Sequence, residues 1–282
     1  MIHKMYDKVK WNTSRLFPPF FVIPSYACDV EKPFETDIIA LMKIYIYEDR
    51  KDVYLDAHFP KSTGQERMFP AAVICPGGGY RIVGTTEARP VSDKFLDAGF
   101  AAFILHYTVG EGTAFDAGEG WPGFPPARDL AAALRLIHDR AGEYGIDTSH
   151  IVLSGFSAGG HLCAASCFSG VLAEAGLMPK ALMLTYPMGG GLDSGGAGRP
   201  QPDFDIARMQ YAEASAVKTL PTFMWHAKDD EMVPFAVAER LAARLEEEGI
   251  PNTFLVYEHG IHARPFYDAD WWGKALDWLA AL

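Results

Sequence analysis

The segment Ser154-Gly-Phe-Ser-Ala-Gly-Gly-His161 decides how the rest of this chain can be interpreted. The apolar run 151–153 precedes it and the small, apolar residues 162–166 follow it, which predicts a strand, a tight turn and a helix. Only small residues clear the strand and the helix that meet at such a turn, which explains the two glycines flanking its centre. Ser157 at the centre is the candidate nucleophile. The amide of Ala158, at the helix N-terminus, is a candidate donor to an oxyanion.

Apolar runs and helical patterns alternate along the chain on both sides of this turn. Apolar and polar residues alternate along 38–47 and along 52–59, and a polar turn at Glu48–Lys51 separates the two segments. This pattern predicts a pair of antiparallel strands. Further strands are predicted at 69–75, 100–106, 151–154, 181–185, 219–225 and 252–257, and helices at 91–98, 127–141, 235–248 and 271–282, with a short one around 205–214. This alternation implies right-handed crossovers. We therefore predict an α/β fold with a mostly parallel central sheet, an antiparallel N-terminal edge and helices on both faces.

The domain organisation follows from the absence of a repeat, a low-complexity tract or a dividing linker. We predict a single domain over residues 1–282. Residues 1–36 are rich in proline and aromatic side chains and are predicted to form an arm packed on the body. The long loops at 108–126 and 187–211 are candidates for a small cap over the site.

The composition bounds the class of partner. Of 282 residues, 49% are hydrophobic, and the net charge of −11 argues against nucleic acid or an anionic membrane, because phosphate binding needs clustered Lys and Arg. No apolar run reaches the roughly 18 residues that span a bilayer. Prolines interrupt the apolar stretch Leu16–Ile23, so we expect no signal peptide.

The four cysteines, Cys28, Cys75, Cys163 and Cys167, have no pattern of metal ligands. Cys163 and Cys167 are spaced i, i+4 on the predicted helix, with no matching His or Cys pair nearby. We interpret them as small buried hydrophobes, and we expect a reduced, cytoplasmic setting.

Three further segments with candidate chemistry follow predicted strands, and ligands collect at the carboxyl ends of such strands. The first, Pro76–Tyr80, contains three glycines whose amides can turn toward a ligand. As an oxyanion hole it would supply one or two N–H donors, from Gly78 with Gly77 or Gly79, beside that of Ala158. A flexible turn is the alternative interpretation.

The second and third segments supply an acid and a base. Three carboxylates, Asp229, Asp230 and Glu231, follow the strand at 219–225. Each could fix the tautomer of a histidine and stabilise its imidazolium, although a solvated acidic turn is the more usual meaning of such a cluster. His259 and His262 follow the last predicted strand, and either could be the base. The chain order of serine, acid and histidine is that of the α/β-hydrolases.

The chain resembles the α/β-hydrolase superfamily from about residue 38 onward, and more closely the acetyl-xylan esterase-like and other small bacterial carbohydrate esterases. The resemblance rests on the segments Cys75–Tyr80, Gly145–Asp147, Gly155–His161, Trp225–Pro234 and Glu258–His262. In that family the acid stands three residues before Val-Pro and the histidine ends a Gly-x-His, which implies Asp230 and His262. The family often has glycine after that histidine, whereas this chain has Ala263, so the resemblance leaves the shape of that loop open.

The resemblance implies a serine esterase that uses Ser157, His262 and Asp230 without a metal or organic cofactor. We expect the ligand to be a small-molecule ester of a short acyl group, with an O-acetylated sugar as one candidate, and we leave a homo-oligomer open. Aromatic residues near the predicted active face, foremost Tyr80 and Trp121, are candidates for substrate binding, with Tyr107, Tyr186 and Tyr211 beside them. Packing against the pocket wall is the alternative for all five. The competing functions are a serine exopeptidase of the oligopeptidase-related type and a non-catalytic binding protein.

Overall fold

A computed structural model describes residues 41–60, 68–110, 123–189, 212–266 and 270–282. These residues form one sheet of eight strands with helices on both faces. The strands are β1 Leu41–Tyr45, β2 Tyr54–His58, β3 Phe69–Cys75, β4 Ala101–His106, β5 Ile146–Phe156, β6 Ala181–Thr185, β7 Thr222–Ala227 and β8 Asn252–Tyr257. The longer helices are α1 Arg89–Asp97, α2 Pro125–Asp139, α4 Ala158–Phe168, α7 Ala236–Glu247 and α8 Trp271–Ala280, and the single-turn helices are α3 Ala141–Tyr144, α5 Val171–Glu174 and α6 Ser215–Lys218.

The strand order in the sheet is β1-β2-β4-β3-β5-β6-β7-β8. β2 is antiparallel to both β1 and β4, and every other neighbouring pair is parallel. The predicted fold class is therefore confirmed, including the antiparallel N-terminal edge. Because parallel strands end at one edge of the sheet, the turns that follow β3, β5, β7 and β8 converge there.

Two hydrophobic clusters cover the two faces of the sheet, as the period-2 geometry of strands requires. Along β3, Val73 packs into the cluster that holds α2, α4 and α7, while Ile74 packs into the cluster that holds α1 and α8. The buried strands read as continuous apolar runs because both faces are covered. Cys163 and Cys167 are free and buried in the first cluster, as predicted, and Cys75 is buried with them, whereas Cys28 lies outside the described residues.

The structure differs from the sequence prediction mainly in β5. This strand begins at Ile146, five residues before the predicted start, and its register with β3 shifts between Phe69 and Ala71. The polar stretch 147–150 concealed the first half of the strand, because exposed polar residues carry no buried-strand pattern. The single-turn helices were also not predicted. Residues 212–214 are not helical, and the rest of the short helix expected around 205–214 lies outside the described residues.

The arm at 1–36 and most of the two loops proposed as a cap, at 111–122 and 190–211, lie outside the described residues. The single domain over 1–282 and the cap therefore stay predictions. Among the helices of the described ranges, none is long and apolar enough to cross a membrane.

Candidate active site

The turn between β5 and α4 holds Ser157 in a strained backbone conformation, with φ of 50° and ψ of −117°. A non-glycine residue in this region costs of order 1–3 kcal/mol and persists only where its surroundings enforce it. The end of β6 and the segment that follows it do so. The Ser157 N–H donates to the carbonyl of Thr185 at 3.1 Å, and the Ser157 carbonyl accepts from the Met188 N–H at 2.9 Å. The candidate nucleophile is thus held by two backbone hydrogen bonds from the end of β6 and the residues after it.

The glycines on either side of Ser157 are required by close approach of backbone. A Cβ on Gly159 would lie 1.9 Å from the carbonyl oxygen of Cys75 at the end of β3. A Cβ on Gly155 would lie 2.5 Å from the carbonyl oxygen of Gly159. Real Cβ atoms do not approach so closely, so β3, β5 and α4 can meet at this turn only because both side chains are absent.

The structure brings Ser157, His262 and Asp230 together in a continuous chain of hydrogen bonds. The Ser157 hydroxyl donates to His262 Nε2 at 2.9 Å, and His262 Nδ1 donates to Asp230 Oδ2 at 2.7 Å. These residues follow β5, β8 and β7, whose carboxyl ends lie at the same edge of the sheet, with β6 between β5 and β7. All three are nearly buried, and Ser157 is only 7% exposed. This arrangement can remove a proton from the serine hydroxyl and return it to a leaving group.

Asp230 accepts hydrogen bonds on both carboxylate oxygens. Oδ1 accepts from the amides of Met232 and Val233, each at 2.9 Å, and Oδ2 accepts from His226 Nε2 at 3.1 Å as well as from His262. Burial alone would raise the pKa of Asp230. The hydrogen bonds from the two histidines, the charge of His262 and the Val233 amide outweigh burial, so the pKa of Asp230 lies well below its usual value. Asp230 is therefore ionised over the pH range in which a histidine can act as a base.

The other two candidates from the same segments pair with each other instead. Asp229 Oδ2 accepts from His259 Nδ1 at 2.8 Å, and Asp229 Oδ1 accepts from the Gly260 N–H at 2.9 Å. The side chains of Asp229 and His259 are 49% and 89% exposed. Glu231 is exposed too. Of the candidate acids and bases in these two segments, His262 is hydrogen bonded to Ser157 and Asp230 to His262, which favours this pair over Asp229 and His259.

The loop after β3 lies against the nucleophile, as expected of an oxyanion hole. The prediction is wrong for the first glycine of this loop. The Gly77 N–H donates to the carboxylate of Glu87 at 2.6 Å, so it is not free to bind a substrate. Among the described residues, the amides of Gly78 and Ala158 have no protein acceptor. Gly78 has a φ of 123° and Gly79 a φ of 60°, values open to glycine at little cost. Gly78 and Ala158 remain the candidate donors, with Gly79 beside them.

Tyr80 does not have the position predicted for a substrate-binding residue. Its side chain is 1% exposed, and its hydroxyl is hydrogen bonded to His161 Nδ1 at 2.9 Å beneath the loop. Tyr107 and Tyr186 are equally buried, with their hydroxyls donating to the Pro76 carbonyl and to Glu87. The packing alternative therefore holds for these three rings. The other two candidates, Trp121 and Tyr211, lie outside the described residues.

The turn after His262 keeps a glycine-like backbone although the residue is alanine. Ala263 has a φ of 60°, in the left-handed region that an alanine enters at a cost of about 1–2 kcal/mol. The departure from the family's glycine is thus accommodated by local strain, and the loop still delivers His262 to Ser157.

Two residues of the site were missed by sequence reasoning. His226 is fully buried, and its Nε2–H is shared between Asp230 Oδ2 and the Val233 carbonyl, both at 3.1 Å. Its place directly after an apolar run was the available signal. Glu87 is also buried, but an acid just before a helix is common, so no sequence signal set it apart.

Comparison with known proteins agrees with this fold. The BD-FAE family model matches residues 55–178. Endo-1,4-beta-xylanase B of Butyrivibrio fibrisolvens is 27% identical over 67% of this chain and 32% of its own length. Acetylxylan esterase of Xylanibacter ruminicola is 26% identical over 70% of this chain and 41% of its own length. The chain thus spans less than half the length of these two curated relatives.

A solved structure gives a fuller match. MGS-M1, an alpha/beta hydrolase enzyme from a Medee basin deep-sea metagenome library, is 25% identical, with a TM-score of 0.68 over 87% of this chain and 98% of that one. The sheet topology and these matches agree that the chain has the α/β-hydrolase fold and is similar in sequence to carbohydrate esterases of that fold.

Proposed function

We propose that this protein is a serine carboxylic-ester hydrolase that removes short acyl groups, foremost acetyl, from O-acylated sugars. The observation that carries the proposal is the placement of His262 between Ser157 Oγ, at 2.9 Å, and Asp230 Oδ2, at 2.7 Å. Such a chain of hydrogen bonds suits acyl transfer, because the same imidazole can accept and then donate one proton.

In the first half-reaction, His262 Nε2 takes the hydroxyl proton of Ser157 as the oxygen attacks the ester carbonyl carbon. The carbonyl oxygen becomes an oxyanion facing the amides of Gly78 and Ala158, each worth roughly 3–4 kcal/mol in the transition state. His262 then gives its proton to the alcohol oxygen. The carbon–oxygen bond breaks, the alcohol leaves and the acyl group stays on Ser157.

The second half-reaction repeats these steps with water. His262 takes a proton from the water as its oxygen attacks the acyl carbon, and the Ser157 oxygen leaves with that proton. The carboxylic acid is released and the enzyme is restored. Asp230 remains ionised throughout and stabilises the imidazolium of His262, which the low pKa of Asp230 supports. The scheme requires no metal or organic cofactor.

The acyl and sugar specificity rests on likeness to known proteins. Relatives named as an acetylxylan esterase and a xylanase suggest an acetylated sugar as the alcohol part. The net charge of −11 favours a small-molecule substrate over nucleic acid or an anionic membrane. A panel of acetylated xylosides against p-nitrophenyl esters of two to eight carbons tests this part, and a preference for the longer acyl chains would contradict it.

The experiment that tests the reaction is hydrolysis of p-nitrophenyl acetate by the wild type, Ser157→Ala and Ser154→Ala. Ser154 is the matched control, since its hydroxyl is buried in β5 three residues away and has no hydrogen-bond partner among the described residues. We expect Ser157→Ala to lose activity by about 10³-fold or more, and Ser154→Ala to keep it. Equal rates in the wild type and Ser157→Ala would refute the proposed function.

A further inference from the structure

A buried carboxylate lies directly behind the candidate oxyanion loop. Glu87, between β3 and α1, is 1% exposed. Its Oε2 accepts from the Gly77 N–H at 2.6 Å, and its Oε1 accepts from the Tyr186 hydroxyl at 2.8 Å. Burying a carboxylate costs several kcal/mol unless donors satisfy it. Both of its donors are in contact with the reacting groups.

The first donor belongs to the loop that faces the nucleophile. A Cβ on Gly77 would lie 2.8 Å from the Cβ of Ser157, so this stretch of backbone touches the serine. The Gly77 carbonyl in turn accepts from the Gly84 N–H at 2.8 Å. The Gly77–Gly78 peptide is trans, so its N–H points opposite to its carbonyl and away from Gly84. Glu87 and Gly84 therefore hold both ends of Gly77 and set the direction of the Gly78 amide.

The second donor belongs to the ring that packs on the base. The Tyr186 ring lies against the His262 ring, with centroids 4.5 Å apart and planes tilted by 49°. The Tyr186 N–H donates to the Trp225 carbonyl at 2.9 Å, and its backbone has a φ of 36°. With the backbone held there and the hydroxyl held by Glu87, the ring forms a fixed wall for His262.

We propose that Glu87 is a positioning residue for this reaction, which orients the Gly78 amide through Gly77 and restrains the His262 ring through Tyr186. The inference rests on the proposed function. Glu87 touches neither the serine oxygen nor the substrate in this scheme. It acts on two groups whose interactions strengthen only in the transition state, so its loss is expected to lower kcat and leave KM nearly unchanged.

The test compares Glu87→Ala, Glu87→Gln and Tyr186→Phe with the wild type in kcat and KM for p-nitrophenyl acetate. Glutamine can keep both hydrogen bonds, with its carbonyl accepting from Gly77 and its amide donating to the Tyr186 oxygen. We expect Glu87→Ala to lower kcat by about 10–100-fold, less than the loss of a whole oxyanion donor, with KM within about threefold. Glu87→Gln should recover kcat to within about fivefold of the wild type, and Tyr186→Phe should lower it by about 3–10-fold.

Thr222→Val is the matched control, because it removes a buried hydroxyl that donates to the Leu220 carbonyl at the opposite end of the sheet. It should lose thermal stability and keep kcat. A folded Glu87→Ala variant with kcat within twofold of the wild type would overturn the proposal. A kcat of Glu87→Gln no higher than that of Glu87→Ala would overturn it too. If Glu87→Ala does not fold, an unchanged kcat in Tyr186→Phe overturns the proposal instead. A wild type that hydrolyses no ester would refute the proposed function itself, whatever the variants do.

Discussion

Replacing Asp230 by asparagine changes one oxygen of a group that accepts four hydrogen bonds. Oδ1 accepts from two backbone amides, of Met232 and Val233, and Oδ2 accepts from His262 and His226. The amide of asparagine is a donor, so one of these two pairs must face a donor instead of an acceptor. The volume of the side chain hardly changes, so the fold should persist.

The orientation of the new amide follows from the relative cost of the two arrangements. Turning the NH₂ toward the amides of Met232 and Val233 leaves two N–H donors unsatisfied, at about 1–3 kcal/mol each. Turning it toward the histidines costs less, because His226 can still donate to the Val233 carbonyl and His262 can change tautomer. In that tautomer Nδ1 accepts from the asparagine and Nε2 carries the proton. His262 then donates to Ser157 and cannot take its proton.

We therefore expect Asp230→Asn to lower kcat by about 10³–10⁴-fold, a loss of about 4–5.5 kcal/mol of transition-state stabilisation. The measurement is kcat and KM for p-nitrophenyl acetate, with circular dichroism to show an intact fold. Asp229→Asn is the matched control, since this neighbouring carboxylate binds the exposed His259 and not His262. The kcat of Asp229→Asn should stay within about threefold of the wild-type value. A folded Asp230→Asn with a tenth or more of wild-type kcat, or an equally large loss in Asp229→Asn, would refute the reasoning.

Three further predictions concern packing, backbone strain and pH. Tyr80→Phe removes the buried hydrogen bond to His161 and should cost about 1–2 kcal/mol of stability in urea unfolding, with KM unchanged. Ala263→Gly should raise the melting temperature slightly, because relief of about 1–2 kcal/mol of left-handed strain exceeds the roughly 0.4–1 kcal/mol of added unfolded-state entropy. Burial, assisted by the charge of Arg89, lowers the pKa of His58 from 6.5 to about 4, so the unfolded chain binds a proton that the folded one does not. The free energy of unfolding that depends on neutral His58 should be fully present above pH 6.5 and fall by up to about 3 kcal/mol toward pH 4. His58→Gln should reduce the difference in this free energy between pH 5 and pH 7, measured by urea unfolding.

Each of these three has an outcome that contradicts it. A raised KM in Tyr80→Phe without loss of stability would indicate that Tyr80 binds the substrate after all. A lower melting temperature in Ala263→Gly would mean that the turn is not strained. An unchanged pH slope in His58→Gln would assign the titration to another group.

Much of the fold could be predicted from local patterns. The elbow at Gly155–Gly159 requires small residues for steric reasons that act within five residues, so the motif itself predicts its conformation. The buried strands were equally visible as apolar runs, because both faces of the parallel sheet are covered. The first half of β5 was not visible, since residues 147–150 are polar and lie in the register shift between the pairs Phe69–Ile146 and Ala71–Ile151.

What the sequence by itself determined is the set of chemical groups at the strand ends: a candidate nucleophile at Ser157, followed by acids and histidines in the chain order typical of α/β-hydrolases. Only the tertiary structure decided which of them meet. Asp230, and not Asp229, is hydrogen bonded to His262, which is 32 residues away in the sequence. The Gly77 N–H is bound to Glu87 and so is not available to an oxyanion. Glu87 in turn accepts from Tyr186, which is 99 residues away. The physical reason is that a side chain's type follows from its own codon, whereas its partner is set by strand order and register, which bring together residues that no local pattern connects.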